Sequence, residues 1–321
     1  MRSQPPQTMR LLGPSEVMGA LDFTGTIETL RQMFRAGAEA PVRHHHTVPV
    51  PGAPDATLLL MPAWQVGRHI GVKLATVFPG NAATSMPSVM GAYLLLDGKT
   101  GQPLALMDGP ALTARRTAAA SALAAIYLAR PDASRLLMVG TGALAPQLVE
   151  AHASVRPIKQ VVIWGRNPDK AQRLAHRLSR RNLAVSATDD LANAVHGADI
   201  VSCATLSKEP LIKGHWLKLG AHVDLVGGFT PAMREADDEV IRRARVFVDT
   251  REGALKEAGD IVQPLRSGVL AEDDIAGDLF DLTRGSRAGR RYYDQITLFK
   301  SVGTALEDLA AAQLAFKRAT T

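Results

Sequence analysis

Two hydrophobic periods divide the chain. From Arg135 onward, short valine- and isoleucine-rich runs alternate with stretches whose apolar residues recur every three or four positions. RLLMVG is followed by ALAPQLVEAHAS, QVVIWG by PDKAQRLAHRLSR and AVSAT by DDLANAVHG; DIVSCAT, AHVDLVGG, DDEVIRRA, RVFVDT and REGALKEAG continue the alternation. Strands that read as apolar throughout, each followed by an amphipathic helix, are βαβ units. Right-handed crossovers wind such units into a doubly wound parallel sheet. Before about Pro110 the pattern is a mix of short strands and turns. TLLLMPAW, HIGVKLATVF, GAYLLLD and PLALMD predict strands, with Pro49, Pro51, Gly52, Pro54, Pro79, Gly80, Gly98 and Gly101 between them. DGKTGQPLAL after YLLL predicts a hairpin. Thr113 to Ala129, TARRTAAASALAAIYLA, has no interior glycine or proline and predicts a long connecting helix, with Thr113 as N-cap and Pro131 beyond its end. The tail QITLFKSVGTALEDLAAAQLAFKRA predicts one more strand and a final helix. The fold class is therefore α/β: a doubly wound parallel sheet plus a smaller α+β domain.

Length and composition narrow the function classes. The 321 residues are enough for two cores; 46% are hydrophobic and 21% charged, which excludes a disordered chain. No apolar run approaches the roughly 20 residues that span a bilayer, so no membrane partner is expected. The start, MRSQPPQTMRLLGPSE, lacks the apolar core of a secretory signal, and the single Cys203 fits a reducing compartment; the expected location is cytoplasmic. The net charge of +6 raises the question of nucleic acid. The arginine clusters Arg177/Arg180/Arg181 and Arg284/Arg287/Arg290/Arg291 look like exposed faces or turns, and no aromatic interleaving or zinc spacing accompanies them, so nucleic acid is not the expected partner. Surplus cations also suit small anionic ligands.

The most specific local signal is LLMVGTGALAPQL. Gly140, Gly142 and Ala145 form a GxGxxA turn directly after an apolar strand and at the opening of a helix, the context of a dinucleotide fingerprint in a Rossmann-type fold. Gly140 permits the tight turn, Gly142 lets backbone N–H groups approach a pyrophosphate, and Ala145 lets helix pack on strand. The helix N-terminus then offers unpaired N–H groups and a partial positive charge to the phosphates. The end of the next strand, about 20 residues on, faces the adenosine ribose. An acid there would bind a free 2′-hydroxyl. Gly165-Arg166-Asn167 instead offers a guanidinium suited to a 2′-phosphate. NADP(H) is favoured on that ground, with NAD(H) still compatible, and the cofactor hints at a reductase.

Three isolated cations mark a substrate side. Lys73 sits inside the apolar strand run GVKLATVF, Arg116 in the first turn of the long helix and Arg43 in APVRHHH before a strand. Burying an ammonium is costly unless it meets an anion, so convergence of the three in an interdomain cleft would hold a carboxylate. His44-His45-His46 gives two ligands on one strand face, too few for a metal site. Cys203, on an apolar strand, reads as a small buried residue.

At these residues the chain resembles the ornithine cyclodeaminase/mu-crystallin family. VKLATVFPGN, LLLDGKTGQPLALMDGPALTARRTAAASALAA, LMVGTGALA, VGGFTPAMRE and ITLFKSVG occur in the family's order from about Arg43 to Gly303. The resemblance implies a substrate-binding and dimerisation domain built from 1–113 with 296–321, a Rossmann domain over 114–295, a homodimer, and activity on amino or imino acids. By motif, Arg43, Lys73 and Arg116 fall on substrate-carboxylate ligands, and Lys73 also on a proton donor to the imine nitrogen. Thr117 and Gly140 to Leu144 fall on pyrophosphate contacts, and Ser301, Val302 and Gly303 near the nicotinamide. Arg115 is given no role.

One departure separates family members. Cyclodeaminases carry an aspartate in the segment matching VGGFTPAMRE; here that position is Phe229, which can neither take a proton nor hold an amino group. Asp224 and Glu235 are the nearby acids, and strand alternation leaves open whether Asp224 faces the cleft. The expected function is an NAD(P)H-dependent reductase of cyclic imino acids, of pyrroline- or piperideine-carboxylate type. Alternatives are an ornithine cyclodeaminase or an alanine-dehydrogenase-like amino-acid dehydrogenase, and a non-catalytic NADPH-binding protein such as mu-crystallin. The Arg166→Asp variant is expected to bind NADPH at least about tenfold more weakly while NADH changes little, a difference of about 1.4 kcal/mol. Equal losses in fluorescence titrations with the two cofactors would overturn the 2′-phosphate assignment.

Overall fold

The computed structural model describes residues 8–84 and 86–320 and divides into two units. One comprises residues up to Arg116 together with those from Thr304 onward; the other runs from Thr117 to Gly303.

The first unit opens with β1 (Arg10–Leu12), α1 (Pro14–Ala20) and α2 (Phe23–Ala36). It continues through β2 (His44–Val48), β3 (Ala56–Gln65), β4 (His69–Val77), β5 (Val89–Asp97) and β6 (Pro103–Asp108). The sheet order is β1-β6-β5-β4-β3-β2: an antiparallel meander, with β1 added parallel to β6. The four quoted strand runs are β3 to β6, and the hairpin turns at Asp97, whose carboxylate accepts from the N–H groups of Lys99 and Thr100.

The reading of this region as strands and turns missed two helices. α2 carried the signals: Asp22 caps it by accepting from Gly25 N at 2.8 Å, Gly37 ends it at φ 82°, and Phe23, Ile27, Leu30 and Phe34 lie on one buried stripe. Its polar residues masked that stripe.

The connecting helix α3 (Gly109–Leu128) starts four residues before the expected Thr113, because the carboxylate of Asp108 accepts from Ala111 N at 2.7 Å and caps it. Gly109 follows because a Cβ there would lie 2.7 Å from the Gly91 carbonyl. Ala118 to Ala120, Ala122 to Ala125 and Leu128 are buried, with the apolar character on all sides that a core helix requires.

The second unit follows the predicted alternation: β7 (Arg135–Val139), α4 (Leu144–Val155), β8 (Gln160–Trp164), α5 (Pro168–Leu178), β9 (Ala184–Thr188), α6 (Leu191–Gly197) and β10 (Ile200–Cys203). Next come β11 (His222–Leu225), α7 (Asp238–Arg243), β12 (Arg245–Val248), α8 (Arg251–Glu257) and α9 (Gly259–Arg266). It closes with β13 (Ile275–Asp278), α10 (Leu279–Arg284) and β14 (Thr297–Lys300). The strand order β13-β12-β14-β11-β10-β7-β8-β9, with parallel pairing throughout, is the expected doubly wound sheet. The winding reverses between β7 and β10, and clefts for ligands open at the strand C-termini beside such a reversal.

Two sequence expectations shift. The boundary at residue 296 falls one strand early: β14 is buried along its whole length between β11 and β12, and the chain leaves this unit only after Gly303. Arg290 is not a surface charge. Its guanidinium donates to the carbonyls of Leu128, Ala221 and Gln295, and burial lowers its pKa to about 10. The chain then ends in α11 (Ala305–Thr320), packed in the first unit against α2, β3, β4 and β5.

Candidate functional site

In the first unit, alternation along β4 turns Gly71, Lys73 and Ala75 toward α11 and Val72 and Leu74 away. Lys73 is 5% exposed, and its Nζ forms an ion pair with Asp308 Oδ2 at 2.7 Å. Arg116, in α3, donates from Nε to Asp308 Oδ1 at 2.8 Å and from Nη1 to Glu307 Oε2 at 2.7 Å. Both acids lie in the first turn of α11 and are fully buried. One carboxylate therefore bridges two cations that are 43 residues apart in the chain (116 − 73).

Burial pushes the Lys73 pKa down, the Asp308 charge pulls it back, and Arg116 and Arg43 push it down again, leaving it at about 8. Burial alone would raise Asp308, but the Arg116 and Lys73 charges override it and hold the carboxyl below its ordinary range. Burial likewise disfavours charged Arg116, and the two carboxylates reverse that, so its pKa rises.

Lys73 and Arg116 thus meet, with Arg43 close enough to act on Lys73, but not as bare charges. Sequence reasoning missed Glu307 and Asp308; the signal was two adjacent acids inside the otherwise apolar GTALEDLAAAQLA. It also missed Tyr93, which lies opposite Lys73 in the β4–β5 register. The Tyr93 hydroxyl is buried over Gly71, with no hydrogen-bond partner among the described groups, and burial and then Asp308 raise its pKa.

In the second unit, Gly140 has φ 119°, and a Cβ there would stand 2.6 Å from the carbonyl oxygen of Ala204. Its N–H donates to Trp164 O at 2.9 Å, tying the ends of β7 and β8 together. A Cβ at Gly142 would meet nothing within 4 Å, so the turn is open on that side. α4 begins at Leu144 with no side-chain cap from Ala143, and Ala145 is fully buried. Thr141 packs over Gly165, where a Cβ would lie 2.7 Å from its Cγ2. Arg166 is exposed just past β8. Asn167 has a structural task as well: its Oδ1 accepts from Lys170 N at 2.9 Å and caps α5. An open glycine turn, an uncapped helix start and an exposed guanidinium fit the phosphates of a dinucleotide.

The segment Ser301-Val302-Gly303 is held by one buried side chain that the sequence did not single out. Asp249 Oδ2 accepts from Ser301 Oγ at 3.1 Å, Val302 N at 2.8 Å and Gly303 N at 2.6 Å, while Oδ1 accepts from Thr250 N. Beside it, buried Lys300 donates to the Gly227 carbonyl and lies 3.3 Å from Asp260 Oδ2. Glu235 accepts from Thr205 N and Oγ1, and burial pushes its carboxyl well above its ordinary value against the pull of Lys300. This cluster fixes the Gly227-Gly228 turn that precedes Phe229, itself 37% exposed.

Asp224 faces inward. It is fully buried and accepts from Ser121 Oγ at 2.9 Å and Ser202 Oγ at 2.7 Å, with His152 Nε2 at 3.0 Å. It is not a substitute for the acid missing at Phe229. Cys203 is buried, and burial with the nearby acids raises its thiol pKa. The rings of His44 and His46 stand edge-to-face at 6.5 Å on an exposed strand. Among the described residues, no group of three or more His, Cys, Asp or Glu could hold a metal ion.

A doubly wound parallel sheet with a GxGxxA turn at its reversal defines a Rossmann-type, nicotinamide-dinucleotide class of protein. The profile of the ornithine cyclodeaminase/mu-crystallin family matches residues 9–321, and the chain belongs to that family. It is 41% identical to a Delta(1)-pyrroline-2-carboxylate reductase of Paracoccus denitrificans, covering 97% of this chain and 96% of that protein. It is 34% identical to the rat ketimine reductase mu-crystallin over 90% of each chain. Among solved structures, Thermococcus litoralis Delta(1)-pyrroline-2-carboxylate reductase in complex with NADH and L-proline superposes with a TM-score of 0.91 at 34% identity, covering 97% of this chain and 98% of that one.

The Asp249→Ala variant leaves the Val302 and Gly303 amides without their acceptor, a loss of about 1–3 kcal/mol. Hydrogen exchange at those two amides is expected to quicken by about tenfold or more relative to β7 amides. Unchanged protection there would remove Asp249 as the anchor of the segment.

Proposed function

We propose that the protein reduces the C=N bond of cyclic 2-imino acids with a nicotinamide dinucleotide. The observation that carries this is the buried Lys73–Asp308–Arg116 cluster, in which an ammonium is kept beside a guanidinium by one shared carboxylate. Arg43, Lys73 and Arg116 bind the substrate carboxylate, Arg116 through Nη2, the guanidinium nitrogen that neither ion pair uses. Lys73 gives a proton to the imine nitrogen. A dihydronicotinamide held beside Ser301, Val302 and Gly303 would supply the hydride that the imine carbon takes up. Lys73, left neutral, regains its proton from water. Its pKa of about 8 fits a general acid: the charged donor form prevails below that value and is lost as pH rises through it.

On the cofactor side, Thr117 and Gly140, Thr141, Gly142, Ala143 and Leu144 hold the pyrophosphate. Gly165, Arg166 and Asn167 hold the adenosine end, and Ser301, Val302 and Gly303 lie by the nicotinamide. Exposed Arg166, at the strand end where an NAD(H) site would carry an acid, supports NADP(H) over NAD(H). Phe229 supports reduction over ornithine cyclisation. One buried cysteine supports a cytoplasmic location, and no described helix is long and apolar enough to cross a membrane.

A second copy of the chain covers the far face of the six-stranded sheet. Leu60 and Leu74 are cross-strand neighbours there, as are Val72, Leu94 and Leu106 across three strands, and Leu74 is 43% exposed. Apolar rows of this kind are the usual core of an isologous dimer.

The test of function is a panel of pyrroline- and piperideine-2-carboxylate, ornithine and free amino acids with reduced and oxidised cofactors. NADPH-dependent imine reduction is expected, and Lys73→Ala is expected to lower kcat/KM by about 10²–10⁴-fold. Ammonia release from ornithine, or cofactor binding without turnover of any imine, would sink the proposal. For assembly, Leu74→Asp should halve the mass measured by light scattering; a wild-type monomer would rule the dimer out.

A further inference from the structure

The ion pairs on α11 raise a question that the carboxylate clamp does not answer. A site that binds an anion has buried two anions of its own against the cations that should receive it. Glu307 engages Arg116, whereas Asp308 engages Arg116 and Lys73 through different oxygens. Two cations sharing a dry interior repel each other, and the ammonium is the one able to relieve that repulsion by dropping its proton. A neutral Lys73 could still accept a hydrogen bond but could not donate a proton to the imine nitrogen.

We propose that Asp308 is the positioning residue of the proton transfer. One oxygen anchors the Arg116 guanidinium and the other holds the Lys73 ammonium, so that Lys73 remains charged and aimed while substrate is bound. This rests on the reading of Lys73 as proton donor. The charges that act most strongly on Lys73 support the assignment. Arg116 from α3 and Arg43 from the segment before β2 act to discharge it, and Tyr93 from β5 carries no charge at neutral pH. Asp308, through its charge and its hydrogen bond, is the strongest influence keeping it charged, and Glu307 stands beside it on Arg116. The carboxylate is itself favoured by its place in the first turn of α11, where helix N–H dipoles point toward it. The cationic partners hold it ionised throughout the neutral range. A role confined to packing would need neither two separate oxygens nor the charge.

The measurement is the 13Cε titration of Lys73 by NMR in the full, unliganded chain, with the signal assigned by its loss in Lys73→Met. The wild-type midpoint is expected at about 8. Removing the charge in Asp308→Asn is expected to lower it by about one unit or more, and to shift the alkaline limb of kcat for imine reduction by the same amount. Asp308→Glu keeps the charge but displaces it. There the midpoint should stay within about half a unit of wild type while kcat falls about tenfold or more and KM for the cofactor holds. A folded Asp308→Asn with an unmoved midpoint overturns the proposal. If Asp308→Asn does not fold, Asp308→Glu decides: lowered kcat with an unmoved limb supports the assignment, and wild-type kcat overturns it. If the wild-type chain reduces no cyclic imine, the functional proposal fails, and the Lys73 midpoint still decides the role of Asp308.

Discussion

A charge can be buried only where an opposite charge meets it, and this rule organises the first unit. Lys73 on β4 and Arg116 on α3 are 5% and 4% exposed, so each needs a carboxylate at contact distance. The chain supplies both carboxylates from α11, 191 and 192 residues beyond Arg116. The unit must therefore be built from both ends of the sequence: a meander laid down first and a helix returned to it last. Such pairs are poor stabilisers, since desolvation consumes most of the attraction, and an apolar cluster of the same volume would hold the helix at least as well.

The second unit solves a related problem with backbone as well as charge. Strand ends at a reversal of winding leave N–H and C=O groups that no further strand will pair. At the β7 end, glycines make the turn close on itself: Gly140 against Ala204, and Gly165 under Thr141. At the β12 and β14 ends, a carboxylate takes the loose N–H groups, Asp249 collecting Val302 and Gly303, and Lys300 takes the loose carbonyl of Gly227. Both devices produce a rigid rim, one left open beside Gly142 and the other fixed by buried ions. Rigid rims suit hydride chemistry, in which small displacements of the reacting atoms are expensive.

What could be read from the sequence follows from how local each determinant is. The β7–turn–α4–β8 run was legible because its period, its glycines and its spacing all fall within some thirty residues. α2 was legible in principle, with Asp22 and Gly37 bracketing a buried stripe, but its interspersed threonines and Gly25 blurred the period. The place of β14 was not legible, since four apolar residues say nothing of which strands they will join. Asp308 and Asp249 were least so. Asp249 looks like an ordinary acid and Asp308 shows only as one of two adjacent acids in an apolar run; the meaning of each lies in partners that only the folded chain brings near: Lys73, 235 positions from Asp308 (308 − 73), and Gly303, 54 positions from Asp249.

On the reading proposed above, the residue that separates reduction from ring-closing deamination sits on the turn after Gly228. Deamination of ornithine needs an acid that can reach the amino group and trade protons with it. Position 229 offers a half-exposed phenyl ring instead. The neighbouring acids are already engaged: Asp224 by two serines and a histidine, Asp260 by Lys300 and the Glu235 and Ala236 amides, and Glu235 through one oxygen by Thr205. Glu235, moreover, is pushed by burial toward its neutral form. In the proposed reaction the proton comes from the Lys73 side, where a single ammonium delivers one proton per turnover. One proton with one hydride is the requirement for saturating a C=N bond, whereas expelling ammonia and closing a ring calls for a further acid–base group, and position 229 holds a phenyl ring.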